Sequence, residues 1–174
     1  IIAKIGDVVK QGDPLFSSKE NEGVVHAAPR PGRVVAINRG HRRVLESFVI
    51  EVDESAGYKE FNPVQDSRLK SMDAEDLISL LVESGLFVAF RQRPFSRIPQ
   101  TTNRPHSIFV TSIDSDPLGF NPELFIARHV DDFIRGLTAL TRITETEVYN
   151  VVHESFKTDL PEVDSCVTLK FGGK

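Results

Sequence analysis

The chain has 174 residues, 40% hydrophobic and 26% charged, with a net charge of −4 at pH 7; it can bury a core, and it is neither disordered, nor fibrous, nor uniformly basic as a nucleic-acid glove would be. Its single cysteine, Cys166, excludes an intrachain disulfide framework and a cysteine metal knuckle, and no run reaches the roughly 18 apolar residues of a membrane span. The charge is split, with Arg30, Arg33, Arg39, Arg42 and Arg43 in an acid-free window over 23–45 and Arg91, Arg93, Arg97 and Arg104 in another over 84–113.

Over residues 1–52, short β-branched runs alternate with turn residues such as Gly6-Asp7, Gly12-Asp13-Pro14, Asn21-Glu22-Gly23, Pro29-Arg30-Pro31-Gly32 and Asn38-Arg39-Gly40. This punctuation predicts a small all-β unit with strands over 15–18, 24–27, 33–37 and 44–52. Residues 58–65 read as linker. From Ser71 the period changes: Leu77, Ile78, Leu81 and Val82 recur at helical spacing behind Asp73, Glu75 and Asp76, which suit a helix N-terminus, and Gly85 ends the helix. A buried strand over 108–113, a helical stripe of Val130, Phe133, Ile134, Leu137 and Leu140, and strands over 148–152 and 167–171 follow. That order predicts a βαβ unit and the start of a Rossmann-like parallel sheet. The fold class is thus mixed α+β or α/β, with a β unit over 1–57, a linker over 58–70 and the α/β domain over 71–174. The chain opens on Ile1 and stops at Lys174 just after a strand-like run, the pattern expected of a fragment of a longer protein.

The most distinctive stretch is 86–99, where Phe87, Phe90 and Phe95 are interleaved with Arg91, Arg93 and Arg97. Arginine forks onto phosphate or carboxylate and stacks on aromatic faces, so the composition suits an anionic or aromatic ligand. The plainer reading is core phenylalanines with solvated arginines, and the residues alone favour it. Asp114-Ser115-Asp116-Pro117 follows a strand at the end where parallel sheets bind ligands; its carboxylates suit a ribose hydroxyl or a cation, but ordinary turn and helix-capping chemistry is the reading the residues favour. No glycine-rich phosphate loop and no G-x-S-x-G elbow occurs, and His26, His41, His106, His129 and His153 fall at no metal-ligand spacing. No catalytic residue and no metal ligand is assigned, and Cys166 reads as packing. The arginines over 30–43 read as polar faces of half-buried strands or as a partner surface.

Gly6 to Leu15 with 28–35 resembles the hammerhead, or barrel-sandwich, architecture of biotinyl and lipoyl carriers, in which a lysine at a hairpin tip is modified. Lys19 stands there, but Ser18 and Glu20 beside it make no carrier motif. Taken with Gly40-His41-Arg42-Arg43-Val44-Leu45, Val82-Glu83-Ser84-Gly85-Leu86, Phe90-Arg91-Gln92-Arg93-Pro94-Phe95 and the run 108–118, the chain resembles the NqrA family, one component of the sodium-translocating NADH:quinone oxidoreductase, over essentially its whole length.

The resemblance implies a peripheral component on the cytoplasmic face of the bacterial inner membrane, in a complex that passes electrons from NADH to ubiquinone and exports Na⁺. Its partners are then the other subunits, especially a membrane-embedded one, with FAD, FMN and iron–sulfur centres expected in those chains and none bound here. A scaffold role is implied, with a quinone pocket expected from Phe87, Phe90, Arg91, Arg93 and Phe95. The family is also related to the flavin subunit of respiratory complex I, which leaves a flavin- or NADH-binding dehydrogenase module as the alternative. Against that alternative, phenylalanine and arginine fill 87–93, where close approach of a phosphate to backbone amides needs glycine, and Asp114 and Asp116 occupy the related acidic loop without glycines to match.

Overall fold

The computed structural model describes residues 1–21, 23–114, 116 and 118–172. The chain divides into two compact units: Ile1–Pro63 with Ile78–Thr102, and Val64–Leu77 with Asn103–Lys174. The second helical segment of the chain therefore straddles this division. Residues expected as linker are built in. Tyr58 bridges Gln11 in parallel, with the Lys59 N–H donating to Gln11 O at 2.8 Å, and Leu69 is buried in a short helix.

In the first unit the strands are β1 (Val8–Val9), β2 (Pro14–Ser17), β3 (Val25–Ala27), β4 (Gly32–Arg39) and β5 (Leu45–Val52). They form an antiparallel sheet in the order β1-β4-β5 and a β2-β3 hairpin. Two similar turns lead into β1 and β2, each written Lys-x-Gly-Asp. In both, the aspartate Oδ2 accepts from the lysine N–H three residues back at 2.8 Å, and the glycine takes a positive φ, +95° at Gly6 and +92° at Gly12. Ala3, Val9, Leu15, Ala28 and Val34 form the core, with Phe16, Ile37, Phe48 and Ile50 packed on it. Arg42 and Arg43 sit on the β4–β5 turn rather than on a strand face, and Arg30 is paired with Glu54.

The second unit holds α1 (Asp66–Leu69), β6 (Ile108–Ser112), α3 (Pro122–Ile126), α4 (Val130–Thr141), β7 (Val148–His153) and β8 (Cys166–Phe171); α2 (Ala74–Glu83) contains the division between the units. The sheet β6-β7-β8 is all parallel, as the βαβ pattern predicts. Alternate residues of β7, Val148, Asn150 and Val152, are fully buried, and Ile126 and Phe156 pack with Val152, joined by Phe133 of α4. The opposite face carries Phe109 stacked on Tyr149 at 5.0 Å, with Leu169 and Phe171 exposed. Cys166 is half-buried at the start of β8, and burial pushes its thiol up. The expected Gly-Gly-Lys end reaches Gly173 and Lys174, which lie outside the described residues, as do Glu22, Ser115 and Pro117 of the expected turns.

Candidate functional site

Gly85 closes α2 in the left-handed conformation, φ +74°, and a Cβ there would stand 2.8 Å from the Ala27 Cβ of β3. It therefore both releases the chain from the helix and lets it pass close to the β2-β3 hairpin. The next residues form a single 3-10 turn, Leu86–Ala89, that buries Phe87 and leaves Phe90 half-buried, their rings 5.4 Å apart. The Arg91 guanidinium folds back on this turn, its Nη1 donating to Phe90 O at 2.8 Å and to Val88 O. The Gln92 N–H donates to Arg97 O at 2.7 Å and closes a loop, and the Arg97 guanidinium lies 5.9 Å from the Phe95 ring centre.

Phe95 is 79% exposed, so it is not the core anchor that the plainer reading of the sequence expects; only Phe87 fills that role fully. The reason is the closed loop, which turns residues 93–96 outward. Arg91 and Arg93 are exposed. His26 on β3 stacks on Phe16 at 4.4 Å, and burial, with the Arg91 charge adding to it, lowers its pKa, so its ring is neutral at neutral pH. The arm is tied to the hairpin tip, where Asn21 Nδ2 donates to Ile98 O at 3.1 Å and Gln100 Nε2 to Glu20 O at 3.1 Å. Lys19 is exposed on that tip. Phe87, Phe90, Arg91, Arg93 and Phe95 are thus one continuous arm rather than a closed pocket.

A second locus lies in the other unit, at the carboxyl ends of β6 and β7. A cavity of about 200 Å³ is lined there by Ser112, Asp114, Phe120, Glu123, His153 and Ser155, among others. Parallel strands deliver these residues because their loops leave from the same end. Asp114 Oδ1 accepts from the Asp116 N–H at 3.0 Å, and Asp114 reaches the cavity whereas Asp116 does not. The Asp114 carboxyl also stands where a Cβ on Gly119 would be, 2.5 Å from its Cγ. His153 Nδ1 accepts from the Ser155 N–H at 3.1 Å and lies 2.7 Å from Ser155 Oγ.

Glu123 and Ser155 carry no functional signal in the sequence, and His153 enters there only as one of five histidines at no metal-ligand spacing. Asn121-Pro122-Glu123 does carry a helix-start signal: the Asn121 side chain accepts from the Glu123 N–H at 3.0 Å, with proline at the first helical position. The use made of Glu123 is tertiary. Its Oε1 accepts from the N–H groups of Lys157 and Thr158, at 2.6 and 2.8 Å, and from Thr158 Oγ1 at 3.0 Å. These bonds, the Lys157 amide first, hold its carboxyl below the usual range. A depressed pKa adds stability above the unfolded value that is lost as pH falls through the folded one. Glu123→Gln is therefore expected to speed amide exchange at Lys157 and Thr158 at neutral pH, and the wild type to approach the variant in acid. Hydrogen exchange followed by NMR reads both.

Among the described residues no group of three or more His, Cys, Asp or Glu is placed to hold a metal, and no helix is long and apolar enough to cross a membrane.

A small antiparallel β unit followed in the chain by an α/β unit with an all-parallel sheet defines a two-domain class of protein. The family described as NqrA N-terminal barrel-sandwich hybrid domain matches residues 1–53, and the NqrA second alpha/beta domain matches residues 72–174; the chain belongs to this family. Curated relatives named as the A component of Na(+)-translocating NADH-quinone reductase include one from Marinomonas sp. (strain MWYL1), 46% identical over 86% of this chain and 33% of the relative. Another, from Shewanella amazonensis, is 42% identical over 98% of this chain and 37% of the relative, and one from Actinobacillus pleuropneumoniae serotype 5b is 48% identical over 79% and 30%. The chain spans about a third of the length of the relatives it matches.

Proposed function

We propose that this chain is a scaffold and docking part of the NqrA component of a sodium-pumping NADH:quinone oxidoreductase, at the cytoplasmic face of the bacterial inner membrane, and that its arm contributes to quinone binding. The reading takes the complex from the relatives' names and the site from one observation: Phe95 lies 79% exposed in a closed loop that also presents Arg93, beside half-buried Phe90. A quinone head needs an aromatic or apolar surface and a donor for each carbonyl oxygen, which phenylalanine and arginine supply. The other subunits, above all a membrane-embedded one, are the partners in this reading, and flavins and iron–sulfur centres belong to them.

The α/β unit is, in the same reading, the start of a Rossmann-like domain related to the flavin subunit of complex I. Its cavity suits no flavin phosphate. At about 200 Å³ it is smaller than the roughly 300 Å³ at which small-molecule sites begin, and the carboxyl of Asp114 faces it where a phosphate would need donors. The parallel sheet is the one feature that favours the alternative, a flavin- or NADH-binding module.

Equilibrium dialysis of the purified chain against a short-tailed ubiquinone is expected to show saturable binding. Phe95→Ala and Arg93→Ala are each expected to weaken it about tenfold, the loss of one good contact, with circular dichroism unchanged. Unchanged affinity in both variants overturns the arm as a quinone site. A bound flavin spectrum or saturable NADH binding favours the alternative instead.

A further inference from the structure

The parallel sheet β6-β7-β8 is covered on one face and open on the other. On the covered face, Ile126 of α3 and Phe133 of α4, which stand between β6 and β7 in the chain, pack around Val152 with Phe156 and Leu160, which stand between β7 and β8. Both connections therefore lie on the same side. On the other face the register lines up Phe109, Tyr149 and Val167 in one row and Thr111, Val151 and Leu169 in the next, with Phe171 beyond. Phe109, Leu169 and Phe171 are 64%, 41% and 59% exposed. An all-parallel sheet is ordinarily buried on both faces, because its crossovers supply cover to each, and among the described residues these rows lack that cover.

Topology says from which direction the cover comes. Connections between parallel strands of one sheet are right-handed in about 98% of cases. From β6 to β7 to β8 the chain steps across the sheet in one direction, and right-handed steps in one direction put every connection on the same face, which is where Ile126, Phe133, Phe156 and Leu160 lie. A right-handed connection over the open face must step back the other way. The strand it delivers then lies outside β6 rather than outside β8. The free edge of β6 is ready for it: the Ile108 N–H donates to Glu147 O at 3.4 Å, toward β7, and alternation along the strand turns the N–H groups of Phe109 and Thr111 outward.

The length of the relatives supplies the occupant. The family's N-terminal domain matches residues 1–53 and its second domain residues 72–174, while the chain spans about a third of the relatives' length, so such a polypeptide has ample chain after the second domain. A crossover needs only about a dozen residues. We propose that the open face of the β6-β7-β8 sheet seats an amphipathic helix of the same polypeptide from beyond residue 174, on a crossover that returns to pair a further parallel strand with β6. The inference is independent of the quinone reading above.

Photo-cross-linking in the whole polypeptide that carries this chain tests the helix. Phe109→p-benzoylphenylalanine and Leu169→p-benzoylphenylalanine, both at exposed positions, are each expected on irradiation to join a peptide of the same polypeptide beyond residue 174, identified by mass spectrometry. If neither variant yields such a link, the face being joined instead to the first unit, to another polypeptide or to nothing, the proposal is overturned. Hydrogen exchange of the unsubstituted whole polypeptide tests the strand. The Phe109 and Thr111 amides are expected to exchange within about tenfold of Val110 and Ser112, whose N–H groups face β7, whereas amides on an uncovered edge exchange more than about a hundredfold faster. Fast exchange at Phe109 and Thr111 beside slow exchange at Val110 overturns the proposal as well.

Discussion

Gly32→Ala is expected to lower the stability of the chain by about 3 kcal/mol, seen as a fall in the thermal midpoint of about 6–12 °C by calorimetry. Gly32 starts β4 and pairs with Val9 on one side and Val52 on the other, with φ +151°. A Cβ at this position would lie 2.1 Å from Glu51 O and 2.9 Å from Glu51 C. Those atoms belong to the backbone of β5, so no side-chain rotamer relieves the clash. The strand must move instead, and Val34, fully buried two residues on, moves with it. Gly6→Ala is the matching control: its φ of +95° also disfavours a side chain, but nothing lies within 4 Å of the added Cβ, and a cost of about 1 kcal/mol is expected. Equal losses in the two variants would show that φ, rather than the approach of β5, governs Gly32.

The α/β unit has its counterpart in Asn150, at the centre of β7 with no exposed surface. Ser112 Oγ donates to its Oδ1 at 2.8 Å, and its Nδ2 donates to Thr168 Oγ1 at 3.4 Å, so one side chain links all three parallel strands. Asn150→Asp keeps the shape and both neighbouring hydroxyls, and replaces a neutral amide by a group that ionises. Burial raises such a carboxyl above its unfolded value of about 3.9. The protonated form is therefore tolerated below the unfolded pKa, and stability is lost as pH rises through the window between the two values. The variant is expected to stand close to wild type near pH 4 and to be about 3 kcal/mol less stable at pH 7, read by urea unfolding at both values. A deficit independent of pH would mean that the site admits water or a counter-charge.

Both effects depend on features that the local sequence displays only in part. Gly32 is legible as a turn glycine after Pro29-Arg30-Pro31, yet the carbonyl that forbids a side chain is that of Glu51, far along the chain in β5. Asn150 reads as one polar residue inside an apolar strand; that Ser112 and Thr168 flank it follows from parallel register. The main strands of the β unit were visible because each is bounded by Gly, Asp, Asn or Pro, whereas β1 has two residues and a pattern too short to stand out. Tyr58 reads as linker because a single parallel bridge to Gln11 leaves no periodicity in the sequence.

What the sequence by itself determined is the order and kind of the elements: a punctuated β unit, then a helix capped by Gly85, then strands and helices alternating toward a parallel sheet. Periodicity and turn chemistry are local, so they survive in one dimension. Tertiary structure alone decided which of three phenylalanines is core and which is exposed, since Phe87 and Phe95 have the same side chain and differ only in the turn and closed loop that aim them. It decided likewise that Asp114 reaches a cavity and Asp116 does not, that Glu123 is held by Lys157 and Thr158, and that residues 78–102 pack with the β unit rather than the α/β one. Each of these is a contact between groups far apart along the chain, and its partner cannot be read from the residues on either side.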